Sequence, residues 1–158
     1  MRLALLLILI SYSKIVYCTC IGLGCNCTIS TTHLNFGSYQ SSSTLDGMTN
    51  LSVTCGASIV GATISYQIAL SPGSSGNFSK RTLKSSSGEN LEYNLYTNAS
   101  RTTILGDGSG GTSVISDGYL LQLLFSRTIN YSIYGRIPSA QKSKPGTYND
   151  TLIATVTF

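Results

Sequence analysis

Lys144-Pro-Gly-Thr-Tyr-Asn-Asp-Thr-Leu-Ile-Ala-Thr-Val-Thr-Phe158 is the stretch on which the fold turns. Lys144-Pro-Gly146 is a turn signal, because proline fixes φ and glycine takes backbone angles that other residues avoid. After it, Leu152, Ala154, Val156 and Phe158 fall on one face and Thr151, Ile153, Thr155 and Thr157 on the other. That period of two marks a strand with one buried side. The sequence supplies no partner after Phe158, so this strand is expected to carry a free edge. An edge of unpaired N–H and C=O groups invites aggregation unless the fold covers it or an assembly uses it.

The same alternation recurs upstream at Leu51-Val53-Cys55, Ile64-Tyr66-Ile68-Leu70, Leu91-Tyr93-Leu95, Leu121-Leu123-Phe125 and Tyr131-Ile133. Polar turn clusters separate these runs: Ser71-Pro-Gly-Ser-Ser-Gly76, Ser85-Ser-Ser-Gly88 and Gly106-Asp-Gly-Ser-Gly-Gly111. With a first strand near Cys27, the pattern predicts about seven strands and no helix. Such spacing predicts an all-β, immunoglobulin-like sandwich of two antiparallel sheets, built as one domain.

Residues 1–18 read as a secretory signal peptide. Arg2 gives the positive start and Leu3 to Ile10 an apolar run too short to span a bilayer, so no integral membrane protein is expected. Cleavage after Cys18 places small residues at the usual positions and leaves 19–158 as the mature domain; cleavage after Ser13 is the alternative. Lipidation is disfavoured, because Tyr17 precedes Cys18 and Gly24-Cys25 lies far from the apolar run. Charged residues make up only 10% of the chain. Ten basic residues face six acidic ones, and losing Arg2 and Lys14 with the leader leaves a net charge near +2. That is too weak and too scattered for a nucleic-acid partner.

Cleavage after Cys18 leaves Cys20, Cys25, Cys27 and Cys55, an even set suited to an oxidising compartment and open to three connectivities. A thiolate metal site over Cys18-x-Cys20-x4-Cys25-x-Cys27 is disfavoured, because its first member sits at the leader junction and no histidine is near. His33 is the only histidine and has no catalytic motif around it. Gly106 to Gly111 lacks the Lys-Ser/Thr of a phosphate loop and a second carboxylate for a cation. The six Asn-x-Ser/Thr sequons, at Asn26, Asn50, Asn77, Asn98, Asn130 and Asn149, are expected by chance in a chain this rich in Ser and Thr. No enzyme, cofactor or metal is expected.

Several segments, taken in order, carry a family signature: Cys27-Thr-Ile-Ser30 with Asn35-Phe-Gly-Ser-Tyr39, Leu51-Ser-Val-Thr-Cys55, Arg81, Leu91-Glu-Tyr-Asn-Leu-Tyr96, Arg101, Gly106-Asp-Gly108, Tyr134-Gly-Arg-Ile-Pro138 and Pro145-Gly-Thr-Tyr-Asn-Asp150. The ordered set resembles the spore coat protein U domain family, to which subunits of archaic chaperone–usher pili also belong. Leu105 departs from it, standing where the family often carries tryptophan. The resemblance implies a pilin-like sandwich lacking its last strand, and a Cys27–Cys55 disulfide that leaves Cys20 and Cys25 for a second bond. It implies a groove lined by Ile29, Leu152, Ala154, Val156 and Phe158 that accepts a donated strand. The implied partners are a periplasmic chaperone, an outer-membrane usher and neighbouring pilus subunits, with passage through the periplasm to the cell surface. A tip adhesin or a self-contained coat protein is the alternative, since cleavage after Cys18 leaves only a short N-terminal extension.

Overall fold

The computed structural model describes residues 3–5, 8–9, 26–58, 62–121 and 126–157. Their strands are β1 (Leu3–Leu5), β2 (Ile8–Leu9), β3 (Asn26–Thr31), β4 (Gly37–Tyr39), β5 (Leu45–Gly56), β6 (Ala62–Leu70) and β7 (Arg81–Ser85). There follow β8 (Asn90–Tyr96), β9 (Ile115–Leu121), β10 (Arg127–Ile137), β11 (Tyr148–Asn149), β12 (Thr151–Leu152) and β13 (Ala154–Thr157). The only helical turn among the described residues is a 3₁₀ turn at Gly73–Ser75. The expected all-β, two-sheet architecture is what the chain adopts.

One sheet runs β3-β5-β10-β8-β7-β11-β1-β4 and a second β13-β6-β9, with β2 beside β12. Its longest ladder is antiparallel, β5 against β10 from Cys55↔Arg127 to Leu45↔Ile137. The alternating apolar residues meet between the sheets: Leu51, Val53 and Cys55 from β5, Ile64, Tyr66, Ile68 and Leu70 from β6, and Leu91, Tyr93 and Leu95 from β8 are all buried. Side chains of period two on facing sheets produce one core, which is why the alternation locates these strands correctly.

The link from β3 to β4 buries Leu34 and Phe36 against the β5–β10 ladder. They sit over Gly47 and Gly135, which are partners in that ladder. A Cβ on Gly135 would come within 2.6 Å of the Phe36 ring and 2.7 Å of Leu34, and one on Gly47 within 2.9 Å of Leu34. The paired glycines thus make the seat that brings the chain across the sandwich toward β4.

β7 and β9 differ from the sequence reading. β7 begins at Arg81, which is fully buried yet charged, so its alternation is not apolar. The Arg81 guanidinium donates to Asn94 Oδ1 at 2.7 Å, to the Leu105 carbonyl at 2.8 Å and to the Ser71 carbonyl at 3.0 Å. Burial pulls its pKa down, and the fields of Tyr93 and Asp150 oppose that shift. Leu105, at the position where the family often carries tryptophan, is itself buried. β9 runs over Ile115–Leu121, of which the sequence reading marked only Leu121; Leu123 and Phe125 fall outside the described residues.

Candidate strand-acceptor slot

The last strand changes sheets. Tyr148 and Asn149 pair antiparallel with Ser85 and Lys84 of β7. Ala154 to Thr157 pair antiparallel with Leu70 to Gln67 of β6. Between these segments the chain is pinned by Asp150, which is buried. Its Oδ1 accepts the backbone N–H groups of Ser74 and Thr151, both at 2.9 Å, and its Oδ2 accepts the Tyr93 hydroxyl at 2.8 Å. Ser71 holds the same crossing, its N–H donating to the Ile153 carbonyl and its Oγ accepting the Ile153 N–H, both at 2.9 Å. Upstream, the Tyr148 hydroxyl donates to the Lys144 carbonyl at 2.9 Å, the tyrosine-corner bond of Greek-key sandwiches.

Along this strand Leu152, Ala154 and Val156 are buried, and Thr151, Ile153, Thr155 and Thr157 are exposed. Phe158 lies outside the described residues. The other edge of the strand faces a segment from the far end of the chain. Leu5 lies opposite Tyr148, Ile8 opposite Thr151 and Leu9 opposite Leu152, parallel and with one constant offset. On its other side β1 runs antiparallel to β4, with Leu3↔Tyr39, Ala4↔Ser38 and Leu5↔Gly37. Among the described residues β4 pairs with no strand but β1, and β11 meets β4 only through it. β4 and the last strand therefore bound a slot one strand wide, about 10 Å across two inter-strand spacings.

Ile29 lies elsewhere on the perimeter. It is half-buried on β3, which pairs with β5 at the opposite end of the sheet order, and it packs against the same core as Leu152, Ala154 and Val156. The wall facing β11 is β4. Gly37-Ser-Tyr39 is too short to show alternation, and the sequence reading did not separate it from the first strand.

Cys27 and Cys55 are direct cross-strand partners and are joined by a disulfide, with Cα atoms 4.0 Å apart. The bond ties edge strand β3 to the neighbouring strand β5. Cys18, Cys20 and Cys25 lie outside the described residues. At the far end of β5, Asp46 accepts Nε and Nη2 of Arg136 at 2.7 and 2.9 Å, with Arg101 at 3.4 Å. The Arg136 hydrogen bonds hold the Asp46 carboxyl below its ordinary range. Between the sheets the Tyr131 hydroxyl donates to Asp117 Oδ2 at 2.6 Å and lies 2.5 Å from the Tyr66 hydroxyl. Burial pushes the Tyr131 phenol well up, reinforced by the bonds to Asp117 and Tyr66. His33 is exposed in the β3–β4 link. Among the described residues no three His, Cys, Asp or Glu side chains gather as a metal site, and no helix is long and apolar enough to cross a membrane.

A two-sheet sandwich whose last strand borders such a slot has the pilin-like fold. The Spore Coat Protein U domain model matches residues 21–155, and the chain belongs to that family. It is 32% identical over 80 residues to Protein U of Myxococcus xanthus, a match covering 50% of this chain and 40% of that protein. Among solved structures it is similar to a chain in the chaperone–tip adhesion subunit pre-assembly complex of archaic chaperone–usher Csu pili of Acinetobacter baumannii. That match has a TM-score of 0.56 at 22% identity and covers 85% of this chain and 40% of the other. The chain thus spans well under half the length of either relative.

Proposed function

We propose that this chain is a structural surface subunit, of a pilus or coat, whose sandwich is completed by a strand from another polypeptide. The observation that carries this reading is the origin of β1 and β2. They fill the slot, yet they belong to the segment that reads as a secretory leader. Removal of residues 1–18 on export leaves β4 and the last strand without their common neighbour. The buried face of Leu152, Ala154 and Val156 then needs cover, and the exposed edge needs partners for its N–H and C=O groups. A donated alternating strand supplies both. Burying on the order of 300 Å² of apolar surface would contribute about 7 kcal/mol before the cost of association.

A periplasmic chaperone supplies that strand first, and a neighbouring subunit then replaces it at an outer-membrane usher. Membership of the spore coat protein U family and the fold shared with a subunit solved beside its chaperone support this order of events. A tip position or a self-contained coat role is the second reading. It is favoured by the short stretch from Thr19 to Cys25 that precedes β3. The test is to export the chain with and without the chaperone from its own gene neighbourhood. A one-to-one complex, with the chain lost to degradation when the chaperone is absent, is expected. A stable folded monomer in both cases would contradict strand donation.

A further inference from the structure

A polar cleft of about 920 Å³ opens beside the slot, between Gln40–Ser42 on one wall and Ala140–Lys144 on the other. Its position follows from the strand register. The occupying strand pairs antiparallel with β4, and its first described residue, Leu3, lies opposite Tyr39, immediately before Gln40 and Ser41. It pairs parallel with β11, with Leu5 opposite Tyr148, so its upstream end points back toward the Lys144–Gly146 turn. Both ladders lead the upstream end of the strand into this cleft. Tyr39 belongs to both places: it partners Leu3 and lines the cleft.

The cleft carries a net positive charge. Lys142 and Lys144 line it, against the single carboxylate of Glu89, which is already paired with Lys144. Lys142 is exposed and makes no hydrogen bond or ion pair to the described residues, and the cleft therefore keeps an unneutralised cation.

We propose that this cleft reads the leading end of the donated strand and selects an acidic residue just upstream of its apolar run. The partner is thus defined by chemistry: an alternating apolar strand, parallel to Tyr148–Leu152, preceded by Asp or Glu. This rests on the strand-acceptor reading above. Lys142 provides the pairing charge and Gln40, Ser41 and Ser42 the hydrogen-bonding wall. A steered carboxylate also gives the incoming strand its register before the apolar residues engage.

The test uses the exported, leader-free protein and synthetic peptides sharing one alternating Leu/Val core and differing only upstream, as Asp-Glu, Asn-Gln or Lys-Arg. Fluorescence anisotropy at low salt should give the acidic peptide about threefold to tenfold tighter binding than the basic one, as expected for exposed charge pairs. The gap should narrow at high salt. Lys142→Glu, at an exposed position, should abolish or reverse the preference while the Asn-Gln peptide binds as before. Equal binding of all three peptides would overturn the cleft's role and leave strand acceptance standing. Failure of every peptide to bind would overturn both.

Discussion

The Tyr93 hydroxyl donates a 2.8 Å hydrogen bond to Asp150 Oδ2, and both side chains are buried where the last strand changes sheets. This pair fixes the geometry of the slot, because Asp150 also holds the N–H groups of Ser74 and Thr151. Tyr93→Phe removes one of three donors to a buried carboxylate. It should cost about 1–3 kcal/mol, read as a lowered denaturation midpoint at unchanged m-value. An unchanged midpoint would deny the crossing its anchor.

The tyrosines also set the alkaline limit of the fold. Burial is the largest influence on the phenols of Tyr66, Tyr93, Tyr119, Tyr131 and Tyr148 and raises each of them. A raised phenol binds its proton more tightly folded than unfolded, so its contribution is complete below the unfolded pKa of about 10 and is lost as pH rises beyond it. Ultraviolet titration should show a subset of tyrosines ionising late and together with unfolding. Smooth ionisation of every tyrosine near pH 10, with the fold intact, would contradict the burial assigned to these five.

The Cys27–Cys55 bond spans 28 residues and ties the edge strand β3 to its neighbour β5. Opening a loop of that size should cost about 3–4 kcal/mol. Cys55→Ser should therefore lower the denaturation midpoint and deplete the exported protein. Non-reducing peptide mapping should find the two cysteines linked in the wild type, and free thiols in folded protein would refute the assignment.

Much of this was legible in the sequence because the core strands alternate cleanly. Leu51-Val53-Cys55, Ile64 to Leu70 and Leu91 to Leu95 each placed their apolar residues inward as expected. β7 was hidden by Arg81, whose burial depends on acceptors from Ser71, Asn94 and Leu105 that lie apart in sequence. β9 was hidden by Gly118, where a Cβ would press within 2.9 Å of the Ile64 carbonyl, and by Asp117, whose partner is Tyr131. In the slot, the inward face of Leu152, Ala154 and Val156 was readable from period alone. The opposite wall at Gly37–Tyr39 was not, because three residues carry no period and their pairing is set by the strand that lies between the walls.

Neighbouring residues of the last strand should respond oppositely to charge. Val156 is buried and Thr155 is exposed. Val156→Asp places an unpaired carboxylate on the inner face and should abolish chaperone co-purification, whereas Thr155→Asp should retain most of it. Val156→Ala, which removes volume without charge, should weaken the complex and still allow recovery. Equal behaviour of the two aspartate variants would contradict the assigned faces.

The most direct test of strand acceptance is amide hydrogen exchange of the exported, leader-free protein, alone and with a slot-filling strand. Alone, the amides of Gly37–Tyr39 and Tyr148–Leu152 that point into the slot should exchange rapidly while β5 and β10 stay protected. With a bound chaperone or donor peptide, those same amides should become slow. Full protection of both segments in the leader-free monomer would show a sandwich already complete and contradict the account.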